Sequence, residues 1–218
     1  MKRDLAEELL ESPKARLIIE RVSETLEAEE RLRRHFYETV REDQKAECIN
    51  GEIIIHSPVK KIHETASSNL FALLKPYVLK HRLGYVGHEK MMIRLTRNDY
   101  EPDVCFFSNE KAASLHDDQT LFPPPDFVVE VLSSGTYERD RGIKYEDYEA
   151  HGVKEYWIVD PQKQVVEQYL LEGPVYELKG AFNRHKDIES HVVAGFRIPV
   201  KAIFEQDVFL KTLVDLIA

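Results

Sequence analysis

Three strand-length runs of apolar residues constrain this chain more than any other feature: Val104-Cys105-Phe106-Phe107, Phe127-Val128-Val129-Glu130-Val131-Leu132 and Tyr156-Trp157-Ile158-Val159. A strand with one wet face alternates apolar and polar side chains, whereas an unbroken apolar run belongs to a strand covered on both faces. None of the runs approaches the ~18 apolar residues that mark a membrane span. Two acids break the pattern. Asp103 follows Pro102 at the start of the first run, and Glu130 lies inside the second.

The rest of the chain supplies the cover. Residues 3 to about 45 read as helix, with Leu5, Leu9, Leu10, Leu17, Ile18, Val22 and Leu26 at helical spacing among Glu and Arg. Ser12-Pro13 marks a break in it, Ser12 capping and Pro13 in the first turn. This stretch reads as a solvated helix laid on the domain or on a second subunit. Residues 46–49 and 52–55 form two strand-like runs around Asn50-Gly51, the strongest short hairpin signal. Residues 59–79 carry an amphipathic helix (Ile62, Ala66, Leu70, Leu73, Leu74), and 84–95 a second hairpin pattern. Thr136 caps a helix running to about residue 151, where Gly152 suits a left-handed C-terminal cap. A fourth strand is expected at 165–171, an edge strand at His191-Val192-Val193 and a short helix over 208–217. Helix, hairpins and then strand–helix–strand give an α/β chain with a mixed sheet flanked by helices. The expected division is a helical extension over 1–45 and a single domain over 46–218.

Composition limits the function classes. A chain of 218 residues with 43% hydrophobic residues can bury a real core, and its mean hydropathy of -0.42 argues against membrane spans. The N-terminus MKRDLAEELLESPK is acidic and amphipathic, without the apolar centre of a secretory signal. Cys48 and Cys105 sit in strand-like runs without metal-type spacing, as small buried hydrophobes of a reducing cytoplasm would. The net charge of -9 is an objection to any protein that grips DNA unaided, since phosphate neutralisation supplies most non-specific affinity. Nucleic-acid binding would have to be local, metal-assisted or supplied by a partner.

The chemistry gathers on three residues. Glu130 in an apolar strand is costly as an ion unless paired or metal-bound. Lys144 lies on the following helix, with Asp140 and Tyr148 at i−4 and i+4 on the same face. Asp103 and Glu130 side by side make a hard oxygen site for Mg²⁺ or Mn²⁺, which can activate water and neutralise charge on a phosphate. A lysine nearby can orient water or stabilise that charge. Spacing alone leaves a bland alternative open: Glu130 paired only with Lys144 or an arginine, and Asp140–Lys144 a helix-face pair worth about 0.3–0.5 kcal/mol. No G-x-S-x-G, P-loop or dinucleotide fingerprint is present, and His88, Glu89 and His151 share no face for zinc.

The ordered motifs carry a resemblance. Glu47, Asn50-Gly51-Glu52, Ser57-Pro58, His63, Pro102-Asp103-Val104, Pro125-Asp126-Phe127-Val128-Val129-Glu130-Val131-Leu132-Ser133, Asp140, Lys144, Tyr148 and Gly152-Val153-Lys154-Glu155-Tyr156-Trp157-Ile158-Val159-Asp160 follow one another as in the Uma-type family of restriction endonucleases. That family belongs to the PD-(D/E)XK nuclease superfamily, and the chain resembles it from about residue 30 to 200. The resemblance implies a restriction-endonuclease-like mixed central sheet, with Asp103 and Glu130 holding Mg²⁺ or Mn²⁺. The superfamily lysine two residues after the second acid is replaced by Leu132, and Lys144 on the next helix is its expected equivalent. The Val131 carbonyl would complete the metal shell, as in relatives. His63 and Glu64, or Glu47, would assist the metal or a water, and Asp140 would position Lys144. Tyr148 and Tyr156 read as packing residues, Trp157 as core and Glu101 as a solvated neighbour. The loop Ser133-Ser134-Gly135-Thr136 departs from the family's Ser-Pro-Ser-Thr, and the helical stretch before residue 30 is longer than the family's. The implied activity is metal-dependent hydrolysis of DNA phosphodiesters; the long N-terminal helices suit a homodimer, which two-strand cleavage favours. A non-catalytic nucleic-acid- or protein-binding module on the same fold is the alternative.

Overall fold

The computed structural model describes residues 5–41 and 43–218, so Arg3 and Asp4, the start of the expected first helix, lie outside the described residues, as does Glu42. The N-terminal stretch is two helices, α1 (Leu5–Leu10) and α2 (Ala15–Thr39). They part at Ser12-Pro13, where Ser12 Oγ accepts the Lys14 N–H at 3.2 Å. Only the C-terminal part of α2 is buried, through Arg33 and Phe36. The Arg33 guanidinium grips Asp99 with Nε and Nη2 at 2.6 Å each and reaches the Leu95 carbonyl at 2.7 Å.

Strands β1 (Ala46–Ile49) and β2 (Glu52–Ile55) form the expected hairpin, with Asn50 and Gly51 at φ 50° and 76°, the double left-handed turn that Asn-Gly favours. Helix α3 (Lys61–His81) follows. The predicted second hairpin is absent: β3 (Gly84–His88) and β4 (Met92–Arg94) enter different sheets. The chain turns at Glu89, φ 49°, whose N–H is taken by the Asp103 carbonyl. The Met91 side chain lies directly against Gly87, where any Cβ would collide with it. Then come β5 (Asp99–Tyr100), β6 (Val104–Ser108), α4 (Asn109–Ala112), β7 (Leu121–Phe122) and β8 (Phe127–Val131).

The predicted helix from Thr136 is two pieces, α5 (Tyr137–Arg141) and α6 (Ile143–Ala150). They break at Gly142, where a Cβ would sit 2.8 Å from the Glu138 carbonyl oxygen. Gly152 closes α6 at φ 72°. After β9 (Glu155–Asp160) and β10 (Val165–Glu172) comes β11 (Val175–Asn183), a long strand without a clear sequence signal because Tyr176 is its one fully buried residue. Residues 191–193 are not a strand. The His191 and Val192 N–H groups bond Glu155 Oε2 instead of a ladder, and β12 (Asp187–Glu189) pairs with β13 (Arg197–Pro199) around them. Helix α7 (Gln206–Ile217) ends the chain.

The main sheet is mixed, in the order β11-β10-β9-β8-β6-β3, with β8 and β9 parallel and the other neighbours antiparallel. A second sheet, β2-β1-β5-β4-β7, stands beside it. The three apolar runs are β6, β8 and β9, and their alternation divides the core. Phe106, Phe127, Val129, Val131, Trp157 and Val159 pack on the α3 side, while Cys105, Phe107, Val128, Tyr156 and Ile158 meet Tyr148 of α6 on the other. Cys48 and Cys105 are buried free thiols. Among the described residues no helix is long and apolar enough to cross a membrane.

Candidate metal centre

The period of two along a strand places the acids. Glu130 shares the parity of Val128, so it faces α6; Asp103 shares the parity of Cys105 and faces the same side. The two strands are neighbours, and Asp103 Oδ2 accepts the Val131 N–H at 2.8 Å. Both acids line a cleft of about 710 Å³ at the C-terminal end of β8.

Lys144 lies beneath them, 1% exposed, with its ammonium 2.8 Å from Glu47 Oε1, 3.1 Å from Glu130 Oε1 and 3.4 Å from Asp140 Oδ1. The expected pairing with Asp140 therefore survives the break in the helix. Tyr148, more than a packing residue, donates its hydroxyl to Glu130 Oε1 at 3.0 Å, and Tyr156 donates to the Asp140 carbonyl at 2.9 Å. Trp157 is core. His63, in the first turn of α3, puts Nε2 3.4 Å from Asp103 Oδ2, and its buried Nδ1 has no hydrogen bond among the described residues. Glu64 is exposed and does not line the cleft. Glu101, expected to be solvated, is buried and accepts the Ala46 N–H at 2.9 Å.

Two participants carried little or no weight in the sequence. Glu47 is fully buried on β1, its Oε1 at Lys144 and its Oε2 3.1 Å from His56 Nε2. The available signal was an acid in Ala46-Glu47-Cys48-Ile49, the same intrusion into an apolar run that marks Glu130. Lys45 places its ammonium 2.9 Å from Asp103 Oδ1. A single lysine before a strand gives no such signal.

Charge is out of balance here. Five carboxyls (Glu47, Glu101, Asp103, Glu130, Asp140) are buried around two lysine ammoniums (Lys45, Lys144), so acidic groups outnumber the lysines that face them. Burial pushes Glu130 up to about 8; Lys144 opposes this, and the neighbouring Asp140, Asp103 and Glu47 add to it. Burial also raises Asp140. Burial acts to raise Glu47 too, but Lys144 and His56 hold it at about 2, and Lys45 and His63 likewise hold Asp103 below the usual carboxylate range. Burial alone would discharge Lys144, yet the surrounding acids keep it firmly cationic.

The site therefore fits a divalent cation in charge and donor type. Glu130 Oε2 accepts no hydrogen bond among the described residues, and carboxylate oxygens suit Mg²⁺ or Mn²⁺. Among the described residues no three His, Cys, Asp or Glu side chains converge as a ready ligand set. Mg²⁺ commonly takes only one or two carboxylates and keeps its waters.

Comparison with solved structures finds a crystal structure from Anabaena variabilis, titled a "putative nuclease" of DUF820. It is similar with a TM-score of 0.67 at 17% identity, covering 82% of this chain and 96% of that one. The likeness shows that the fold is shared. Among curated proteins none matches. The model of the Uma2 family, described as "Putative restriction endonuclease", matches residues 29–201. Spanning most of the chain, that match shows that this protein belongs to the Uma2 family.

Proposed function

We propose that the protein is a Mg²⁺- or Mn²⁺-dependent DNA endonuclease, with Asp103, Glu130 and the Val131 carbonyl holding the ion. The observation that carries this is the cluster of buried carboxyls, three of which (Glu101, Asp103, Glu130) line one cleft, with Lys144 beneath them. When bound, the ion supplies positive charge at the scissile phosphate and makes a water more acidic.

The chain's own groups do the rest. Lys144 is too deeply buried and too tightly held to act as a base. It fixes Glu47 and Glu130 in place and puts a permanent positive charge under the site. Asp140 positions the Lys144 ammonium, and Tyr148 orients Glu130. His63 steadies Asp103. Glu47 takes the assisting role that Glu64 is too far out to fill. Lys60 and Arg139 line the cleft, the latter with a buried Nε that has no hydrogen bond among the described residues. They give the local phosphate affinity that an overall charge of -9 would otherwise deny.

Residues 1–45 act in this reading as a helical extension to a nuclease domain over 46–218. Ile18, Ile19, Val22 and Leu26 are exposed on α2 and suit pairing of two copies, which solution mass with and without residues 1–30 would test. The direct test of the activity is cleavage of plasmid DNA with Mn²⁺. Asp103→Asn and Glu130→Gln proteins that stay folded should lose it, and cleavage at the wild-type rate would refute the assignment.

A further inference from the structure

Both oxygens of Asp103 are engaged. Oδ2 accepts the Val131 N–H and lies near His63, while Oδ1 receives the Lys45 ammonium at 2.9 Å. The two lysines of the site differ in kind. Lys144 is sealed in the floor among three carboxylates. The Lys45 side chain keeps 20% of its surface exposed, lines the cleft and forms its one salt bridge among the described residues with Asp103. Its position is that of a cation on the very oxygen that a metal-binding Asp103 would offer.

We propose that Lys45 is a built-in counter-ion: it occupies the cation position on Asp103 in the metal-free protein and is displaced when a divalent ion binds. This rests on the metal reading above and goes beyond it, because it makes cation affinity a competition with the chain's own ammonium. Electrostatics favours the exchange in that direction. A divalent ion brings twice the charge to a site with an excess of buried carboxyls. The displaced ammonium remains within the cleft, where the anion it next meets in a nuclease is the substrate phosphate.

The test is titration calorimetry of Mn²⁺ into the full-length protein at fixed pH and salt. Wild type is compared with Lys45→Met and Lys45→Gln, and with Lys60→Met as a control that removes a cleft-lining charge with no hold on Asp103. Removing an ammonium that must first be displaced should tighten Mn²⁺ binding by about tenfold, the gain expected where about a tenth of molecules are otherwise competent. The control should stay within about twofold. Circular dichroism checks folding, and either Lys45 variant suffices if the other fails to fold. Unchanged or weaker Mn²⁺ affinity in the folded Lys45 variants overturns the inference, as does an equal gain in Lys60→Met. Equal stoichiometric binding in all the proteins removes only the role of Lys45. No binding in any of them removes the metal reading itself.

Discussion

Replacing Lys144 by Met tests the electrostatic structure of the site most sharply. The substitution keeps the alkyl length and removes the ammonium that lies within 3.4 Å of Glu47, Glu130 and Asp140 alike. Removing one partner from a buried ion pair costs about 3–5 kcal/mol, because the other charge is left uncompensated. At roughly 2–4 °C per kcal/mol for a chain of this size, Tm should fall by about 6–20 °C near neutral pH. The pH dependence has a definite sign. In wild type, Glu47 is held at about 2 against an ordinary 4.5, so its contribution is present above pH 4.5 and is lost as pH falls toward 2. In the variant the Lys144 share of that contribution disappears, and Glu47, Glu130 and Asp140 are all raised. The variant is then most stable below pH 4.5 and loses stability as pH rises. Calorimetric unfolding of both proteins at pH 4, 6 and 8 should show a gap that widens with pH. Equal Tm values at pH 7, or a gap that does not narrow at pH 4, would refute the reasoning.

Other predictions follow from the same geometry. Glu130, raised to about 8, contributes stability that is full below pH 4.5 and lost as pH climbs through 8; metal-free Glu130→Gln should therefore gain on wild type between pH 6 and 8, with the advantage vanishing near pH 4 in urea titrations. Arg33→Ala leaves Asp99 buried without its guanidinium and should cost about 3–5 kcal/mol in the same titrations. Gly142→Ala forces a Cβ against the Glu138 carbonyl, and a cost of about 1–3 kcal/mol is expected from overpacking at a fixed turn. Because Gly142 joins the Asp140 and Lys144 segments, this change should also weaken Mn²⁺ binding in calorimetry.

Much of the fold could be read from the chain because its signals are local. Unbroken apolar runs marked β6, β8 and β9, and Asn50-Gly51 marked the first hairpin. What escaped was set by distant partners. The two-residue strands β5 and β7 are too short to carry a period. Strand β11 is exposed along most of its length and so lacks the alternation that marks a half-buried strand. His191 and Val192 looked like strand residues until the buried carboxylate of Glu155 claimed their N–H groups. That Glu130 would meet Lys144 was legible because an acid inside an apolar strand demands a partner, while the choice of Asp103 beside them came with the family resemblance. Lys45 and Glu101 were not, since β1 is brought against β5 only by tertiary pairing. Glu64 was expected near the metal from the family resemblance, and the orientation of α3 leaves it exposed.

Asp103 and Glu130 should share one divalent ion. A crystal structure of the protein grown with Mn²⁺, with anomalous data to locate the metal, measures this directly. One ion is expected in the cleft within about 2.0–2.5 Å of oxygens from both Asp103 and Glu130, with Lys45 withdrawn from Asp103. A well-ordered cleft holding no ion at millimolar Mn²⁺, or an ion bound elsewhere while Lys45 stays on Asp103, would contradict it.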